Sequence, residues 1–255
     1  MTSSNLPILY GMTTAAITYE GEYTVMQLQT ARYLVKAWKQ AVEGKAMTPT
    51  VSYLVNFANN NSHQWQNTPE GLIKGFQSNA AGKVKAACEA LQKYERAGND
   101  YEDSWNLASV QLVNASEAHC RAVISEVYWK ETERLAAELS PSLREILRQL
   151  VELYLIYWAL QKSGDLLLFS TVSKNDIAAL QSRYEELLGL IRPNAIGLVD
   201  GFDVNDRILN STLGAYDGRV YERLMEEALK SPLNAQPVND SFHKHLKPLI
   251  VKGKL

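Results

Sequence analysis

Apolar residues recur three and four apart along most of the chain. Between Tyr23 and Val42 the positions Val25, Leu28, Leu34, Val35 and Trp38 predict one face of a helix. Gly21 and Gly44 bound that segment, as helix punctuation should. Residues 56–68, NFANNNSHQWQNT, are polar, Asn-rich and patternless, and predict a linker. Thr68-Pro69-Glu70 then opens a helix with Thr as cap and Pro in the first turn, running to about Arg96 before Gly98-Asn99. A long helix is predicted from Tyr101 to Leu139, where Ser140-Pro141 ends it and caps the next.

Leu150–Leu160, LVELYLIYWAL, is apolar nearly all round, which predicts a place deep in a helical core. It is shorter than the roughly 20 residues that cross a bilayer. Its one charge, Glu152, must face solvent or find a partner. Gly164 is expected to close that helix. Ser173 with Asp176 reads as a capping box for a helix ending at Ile191, before Arg192-Pro193. Two shorter helices are expected near 203–213 and 216–230. Met1–Thr18 has no long apolar run and no convincing periodicity, and Val51–Val55 is the nearest approach to a strand. The pattern as a whole predicts an all-α chain built of helical bundles, without solenoid repeats.

Composition narrows the function classes. The 255 residues are 46% hydrophobic and 21% charged, a globular balance, and the 26 basic and 28 acidic residues leave a net charge of −2. Nothing in that balance recommends nucleic acid or an anionic membrane. Cys88 and Cys120 make neither a disulfide scaffold nor a zinc site, and His63, His119, His243 and His245 add no ligand spacing. They read as two buried or half-buried thiols in a reducing compartment. The first basic residue is Arg32, so no secretory or transit segment is expected, and the sequons at Asn60, Asn114 and Asn210 are expected to stay unmodified. The chain ends Gly253-Lys254-Leu255, one residue from the Ser-Lys-Leu peroxisomal address.

Candidate chemistry is sparse. Neither GxGxxG nor GxxxxGK[ST] occurs. Asp200, Asp203 and Asp206 are spaced by three, but without an ion-binding loop they are expected to be caps and a solvated face, and no metal site is expected. Thr18-Tyr19-Glu20-Gly21-Glu22 sets two carboxylates around a glycine just before a helix. Acidic residues there complement the helix dipole. The same arrangement lets a carboxylate on a glycine hinge be aimed into a pocket as a general base.

Four blocks carry a resemblance: TYEGEYTVMQLQTARYL (18–34), SWNLASVQLVNASEAHC (104–120), LLGLIRPNAIGLVDGFDVNDRILNSTLGAYDGRVYERL (187–224), and SPLN (231–234) with Leu246-Lys247-Pro248-Leu249. Together they resemble the C-terminal part of the peroxisomal acyl-CoA oxidases. The resemblance implies that residues 1–58 end a dehydrogenase-like helical domain, that 59–68 link, and that 69–255 form the oxidase C-terminal helical domain. It implies FAD as cofactor, fatty acyl-CoA and O2 as substrates, H2O2 as product, a homodimer and a peroxisomal location. By motif position it makes Glu20 the catalytic base and Thr24 a flavin contact. Ala215 departs from the Arg that the family carries before Tyr-Asp-Gly, and Gly253 departs from Ser. The family is much longer, and its flavin-cradling middle domain is not represented here. A second reading is therefore a non-catalytic helical module that dimerises or packs on an oxidase partner. Helices meant for further neighbours predict association.

Overall fold

The computed structural model describes residues 2–19, 21–59 and 64–252. The helices among them are α1 (Leu6–Tyr19), α2 (Tyr23–Val42), α3 (Tyr53–Ala58), α4 (Pro69–Arg96), α5 (Tyr101–Leu107), α6 (Ser109–Ala136), α7 (Pro141–Gln161), α8 (Ser163–Phe169), α9 (Lys174–Ile191), α10 (Ala195–Asp200), α11 (Asp206–Leu209), α12 (Val220–Lys230) and α13 (Lys247–Lys252). No strand occurs among the described residues, so the fold is all-α. None of these helices is long and apolar enough to cross a membrane.

The chain forms two compact units, Gly21–Leu198 and Met1–Glu20 with Val199–Leu255. The first is a bundle centred on the pairing of α4 with α6, with α2 and α7 also packed on α6, α8 on α4, and α9 on α7. Leu34, Leu54, Leu72, Phe76, Leu112, Leu155, Leu180 and Leu187 are fully buried in its core. Glycine on α4 permits two close approaches. A Cβ at Gly75 would stand 2.2 Å from the Trp65 ring, and one at Gly82 would stand 2.2 Å from Phe169.

The caps are where the sequence places them. Thr68 Oγ1 accepts from Gly71 N–H at 3.1 Å. Ser173 Oγ accepts from Asp176 N–H at 3.2 Å while Asp176 Oδ2 accepts from Ser173 N–H at 2.8 Å, a complete capping box. Glu152 finds its partner in Arg183, whose Nε and Nη2 donate to its two oxygens at 2.8 Å each.

Other expectations are corrected. Val51–Val55 is no strand: a 3-10 turn over Pro49–Val51 leads into α3, which buries Tyr53 and Leu54. The helix expected over 101–139 is divided at Ala108, itself fully buried, into α5 and α6, and ends at Ala136. Leu150–Leu160 buries Val151, Leu155, Ile156 and Ala159, yet leaves Tyr157 41% exposed, because α4, α6 and α9 cover only part of its circumference. That helix stops at Gln161, and Gly164 lies inside the next one rather than ending it.

In the second unit the unpatterned start contains α1, which exposes Leu6, Ile8, Leu9, Tyr10, Met12 and Ile17. With apolar residues on all sides and no polar face, it offers no period to read. Asn5 Nδ2 donates to Leu209 O at 2.9 Å, and Thr212 N–H donates to Ser3 O at 2.9 Å, tying the start of the chain to the 206–212 segment. The helix expected over 203–213 shrinks to one turn, α11. Asn210 ends it in the left-handed region at φ 47°, and the Asp206 carboxylate accepts from Tyr216 N–H at 3.0 and 3.2 Å.

The head of α2 as candidate functional site

The predicted site begins at Glu20-Gly21-Glu22. Glu20 lies outside the described residues, as does the terminal Gly253-Lys254-Leu255. Gly21 sits at φ 109°, a backbone that L side chains rarely adopt, so glycine is required immediately after Glu20. A Cβ there would find room, 3.7 Å from Met26 Cγ, so backbone conformation and not space excludes other residues.

Glu22 is the N-cap of α2, its Oε2 accepting from Val25 N–H at 2.8 Å. The backbone amide of Thr24, followed by that of Val25 and the Thr24 hydroxyl, holds this carboxyl below its usual range against a small opposing effect of burial. Thr24, the predicted flavin contact, is exposed in the first turn of α2, beside Tyr23, Val25 and Met26, which are 65%, 54% and 58% exposed. The surface at this helix end therefore combines the apolar Val25 and Met26 with the Tyr23 and Thr24 hydroxyls and the Glu22 carboxylate. Glu22 engages the Val25 amide of this first turn and places a carboxylate there, which disfavours a phosphate at this helix end.

From this head α2 runs down onto α6. Gln27 is buried, and its backbone carbonyl accepts from Ser116 Oγ at 2.7 Å. A cleft of about 300 Å³ lies alongside, walled by Tyr23, Met26 and Thr30 of α2, by Cys120, Arg121 and Ile124 of α6, and by Tyr154 of α7. Its charged corner is internally balanced. Arg121 donates to Glu117 at 2.8 Å and stacks 3.4 Å over the Trp158 ring, and Lys162 reaches Glu117 at 3.1 Å. Burial alone would raise the Glu117 pKa, but hydrogen bonds from Lys162 and Arg121 outweigh it and lower it.

Behind the same helix, Tyr53 and His119 form a buried polar pair that no sequence motif announces. Cys88 is buried, its thiol pushed up to about 12 by desolvation, and Cys120 is exposed. Asp206 serves as an acceptor for the loop backbone, and no group of three or more His, Cys, Asp or Glu side chains is arranged to hold a metal ion among the described residues.

Comparison with known proteins identifies the architecture. The acyl-CoA oxidase family model matches residues 68–251, and the acyl-CoA oxidase C-alpha1 domain model matches residues 1–35. Acyl-coenzyme A oxidase 1 of Drosophila melanogaster is 44% identical over 251 residues, covering 98% of this chain and 38% of that protein. Peroxisomal acyl-coenzyme A oxidase 1 of Rattus norvegicus is 43% identical, with 97% and 38% covered. Acyl-CoA oxidase-2 of Caenorhabditis elegans, solved bound with FAD, ascaroside-CoA and ATP, superposes with a TM-score of 0.88 at 35% identity, covering 99% of this chain and 38% of that one. Arabidopsis thaliana acyl-CoA oxidase 1 superposes with a TM-score of 0.87 at 29% identity, again over 99% and 38%. The chain thus spans 38% of the length of the relatives it matches, and it belongs to the acyl-CoA oxidase family.

Proposed function

We propose that these residues form the base-bearing C-terminal portion of a peroxisomal, FAD-dependent acyl-CoA oxidase, which desaturates fatty acyl-CoA to the trans-2-enoyl thioester. The observation that carries this reading is the Glu20-Gly21-Glu22 junction, where a glycine at φ 109° directly follows the predicted base and a capped helix begins. The domain reading goes with it: 1–58 closes the dehydrogenase-like helical domain, 59–68 links, and 69–255 is the oxidase C-terminal domain.

In this reading the Glu20 carboxylate removes the α proton of the acyl thioester, whose carbonyl acidifies that carbon. A carboxylate in an apolar surround is a stronger base than one in water. Gly21 supplies the backbone conformation next to it, and the Glu22 cap fixes the start of the helix that follows. Thr24, exposed in the first turn of α2, meets the edge of the flavin ring. When bound, FAD supplies the acceptor for the β-hydride and passes the electrons to O2, giving H2O2.

The test is a chimera in which these residues replace the corresponding part of the Drosophila enzyme. Peroxide release from a fatty acyl-CoA is expected, and Glu20→Gln is expected to lower it by roughly 10²–10⁴-fold with the fold and bound flavin unchanged. A Glu20→Gln chimera as active as its parent would remove Glu20 from the mechanism. The partner assembly in this reading is a homodimer, tested by the sedimentation of the chain.

A further inference from the structure

The first residue of α2 to be buried is Gln27, and the four before it are exposed. Ala31, Leu34, Ala37 and Ala41 continue the buried line down the helix. Gln27 is therefore the fixed point nearest the head of α2. It lies five residues beyond the Glu22 cap, about 7.5 Å of helix at 1.5 Å per residue.

That point is held from α6. Ser116 is fully buried, and its Oγ donates to the Gln27 carbonyl at 2.7 Å. A serine inside a helix can return its hydroxyl to the carbonyl four residues back. Ser116 reaches across to another helix instead. Its oxygen is two bonds from its own Cα, so the contact requires the α2 and α6 backbones to run close together. The buried Ala31 on α2 and the buried Ala115 and Ala122 on α6 are small enough for such an approach. The Gln27 carbonyl also accepts within its own helix, so Ser116 takes its second lone pair and adds a fixation point.

The bond spans 89 residues. It joins the segment that matches the C-alpha1 domain model, 1–35, to the segment that matches the acyl-CoA oxidase model, 68–251. One turn further along α6, His119 meets Tyr53 of α3. Helix α6 thus offers one buried polar group to α2 and another to α3. We propose that Ser116 is a positioning residue for the oxidase reaction. Through the Gln27 carbonyl it fixes the head of α2, and with it the Glu22-Gly21 backbone to which Glu20 is joined. This inference rests on the reading of Glu20 as the base and adds a residue of the C-terminal domain to its support. A general base misplaced by about 1 Å can lose about 10²-fold in rate, so one interhelical bond this close to it matters.

The experiment uses the chimera with the Drosophila enzyme. Ser116→Ala deletes one oxygen and introduces the strongest helix former, so the fold and the bound flavin should persist. Its kcat is expected to fall about tenfold, while KM for the acyl-CoA stays within roughly twofold of the parent. Tyr53→Phe serves as the comparison, because it removes the other buried hydrogen bond of α6 without touching α2. That variant is expected to keep the parent's kcat. A Ser116→Ala chimera with unchanged kcat overturns the proposal, as does one that changes KM alone. An equal loss of kcat in Tyr53→Phe also overturns it, since general loosening of α6 would then account for both. If Glu20→Gln abolishes turnover and Ser116→Ala does not, this inference fails and the base assignment stands. A Glu20→Gln chimera as active as its parent removes both.

Discussion

The Tyr53 hydroxyl lies 2.9 Å from Nδ1 of His119, with the two rings stacked 6.1 Å apart in the bundle interior. Only 9% of Tyr53 and 8% of His119 is exposed, so each polar tip depends on the other. Burial holds His119 neutral, lowering its pKa from 6.5 to about 4, and raises that of Tyr53. Tyr53→Phe removes one partner and leaves the His119 nitrogen buried without it. A loss of about 1–3 kcal/mol is expected in urea unfolding, with the m-value unchanged.

The same histidine sets an acid limit. The unfolded state binds its proton near pH 6.5 and the folded state only near pH 4. Stability from this group is full above the higher value and declines as pH falls toward the lower, by roughly 3 kcal/mol in all. Unfolding free energies measured from pH 7 to 4 should show that slope, and a His119→Gln chain should show less of it. Equal slopes in the two chains would assign the acid sensitivity to other groups.

Identical substitutions at two helical glycines should have opposite signs. Gly82→Ala places a Cβ 2.2 Å from the Phe169 ring and should destabilise by about 1–3 kcal/mol through overpacking of α4 against α8. Gly189→Ala, in α9 with nothing within 4 Å of the new atom, should stabilise by about 0.5–1 kcal/mol through helix propensity. Thermal melts of both variants check the pair.

Glu152 and Arg183 join α7 to α9 through two 2.8 Å hydrogen bonds, while Glu186 meets Arg183 from the next turn at 2.8 Å with 60% of its side chain exposed. Glu152→Ala should cost roughly 1–3 kcal/mol, because it strips a half-buried guanidinium of its bidentate partner. Glu186→Ala should cost less than about 1 kcal/mol, as exposed pairs do. Denaturant titrations that rank the two in the other order would contradict this assignment.

Thiol labelling should separate the two cysteines. Cys120 is exposed, and Cys88 is buried with its thiol pushed up to about 12. One thiol per chain is expected to react with a maleimide in native buffer at pH 7, and two in denaturant.

Local chemistry carried a good part of the architecture. Thr68-Pro69 and the Ser173–Asp176 box act within a single turn, so their residues alone determine where α4 and α9 begin. Apolar spacing determined α2, and the need of Glu152 for a partner was legible from its position in an apolar run. The glycine after Glu20 likewise announced a special backbone, and Gly21 has one. The identity of the partner was not legible, because Arg183 is 31 residues away and reaches Glu152 only when α7 and α9 pack. Tyr53 and His119 are 66 residues apart, with no motif at either position. Tertiary structure alone also decided that α1 is a helix, since a segment apolar on every side has no period, and that the 203–213 segment is mostly loop. There Asn210 adopts a left-handed backbone and Asp206 bonds Tyr216 instead of extending the turn. Caps and amphipathic faces are properties of neighbours in sequence. Pairings across the bundle belong to the packed chain, where the cost of an unpartnered buried group selects a residue that no local pattern can name.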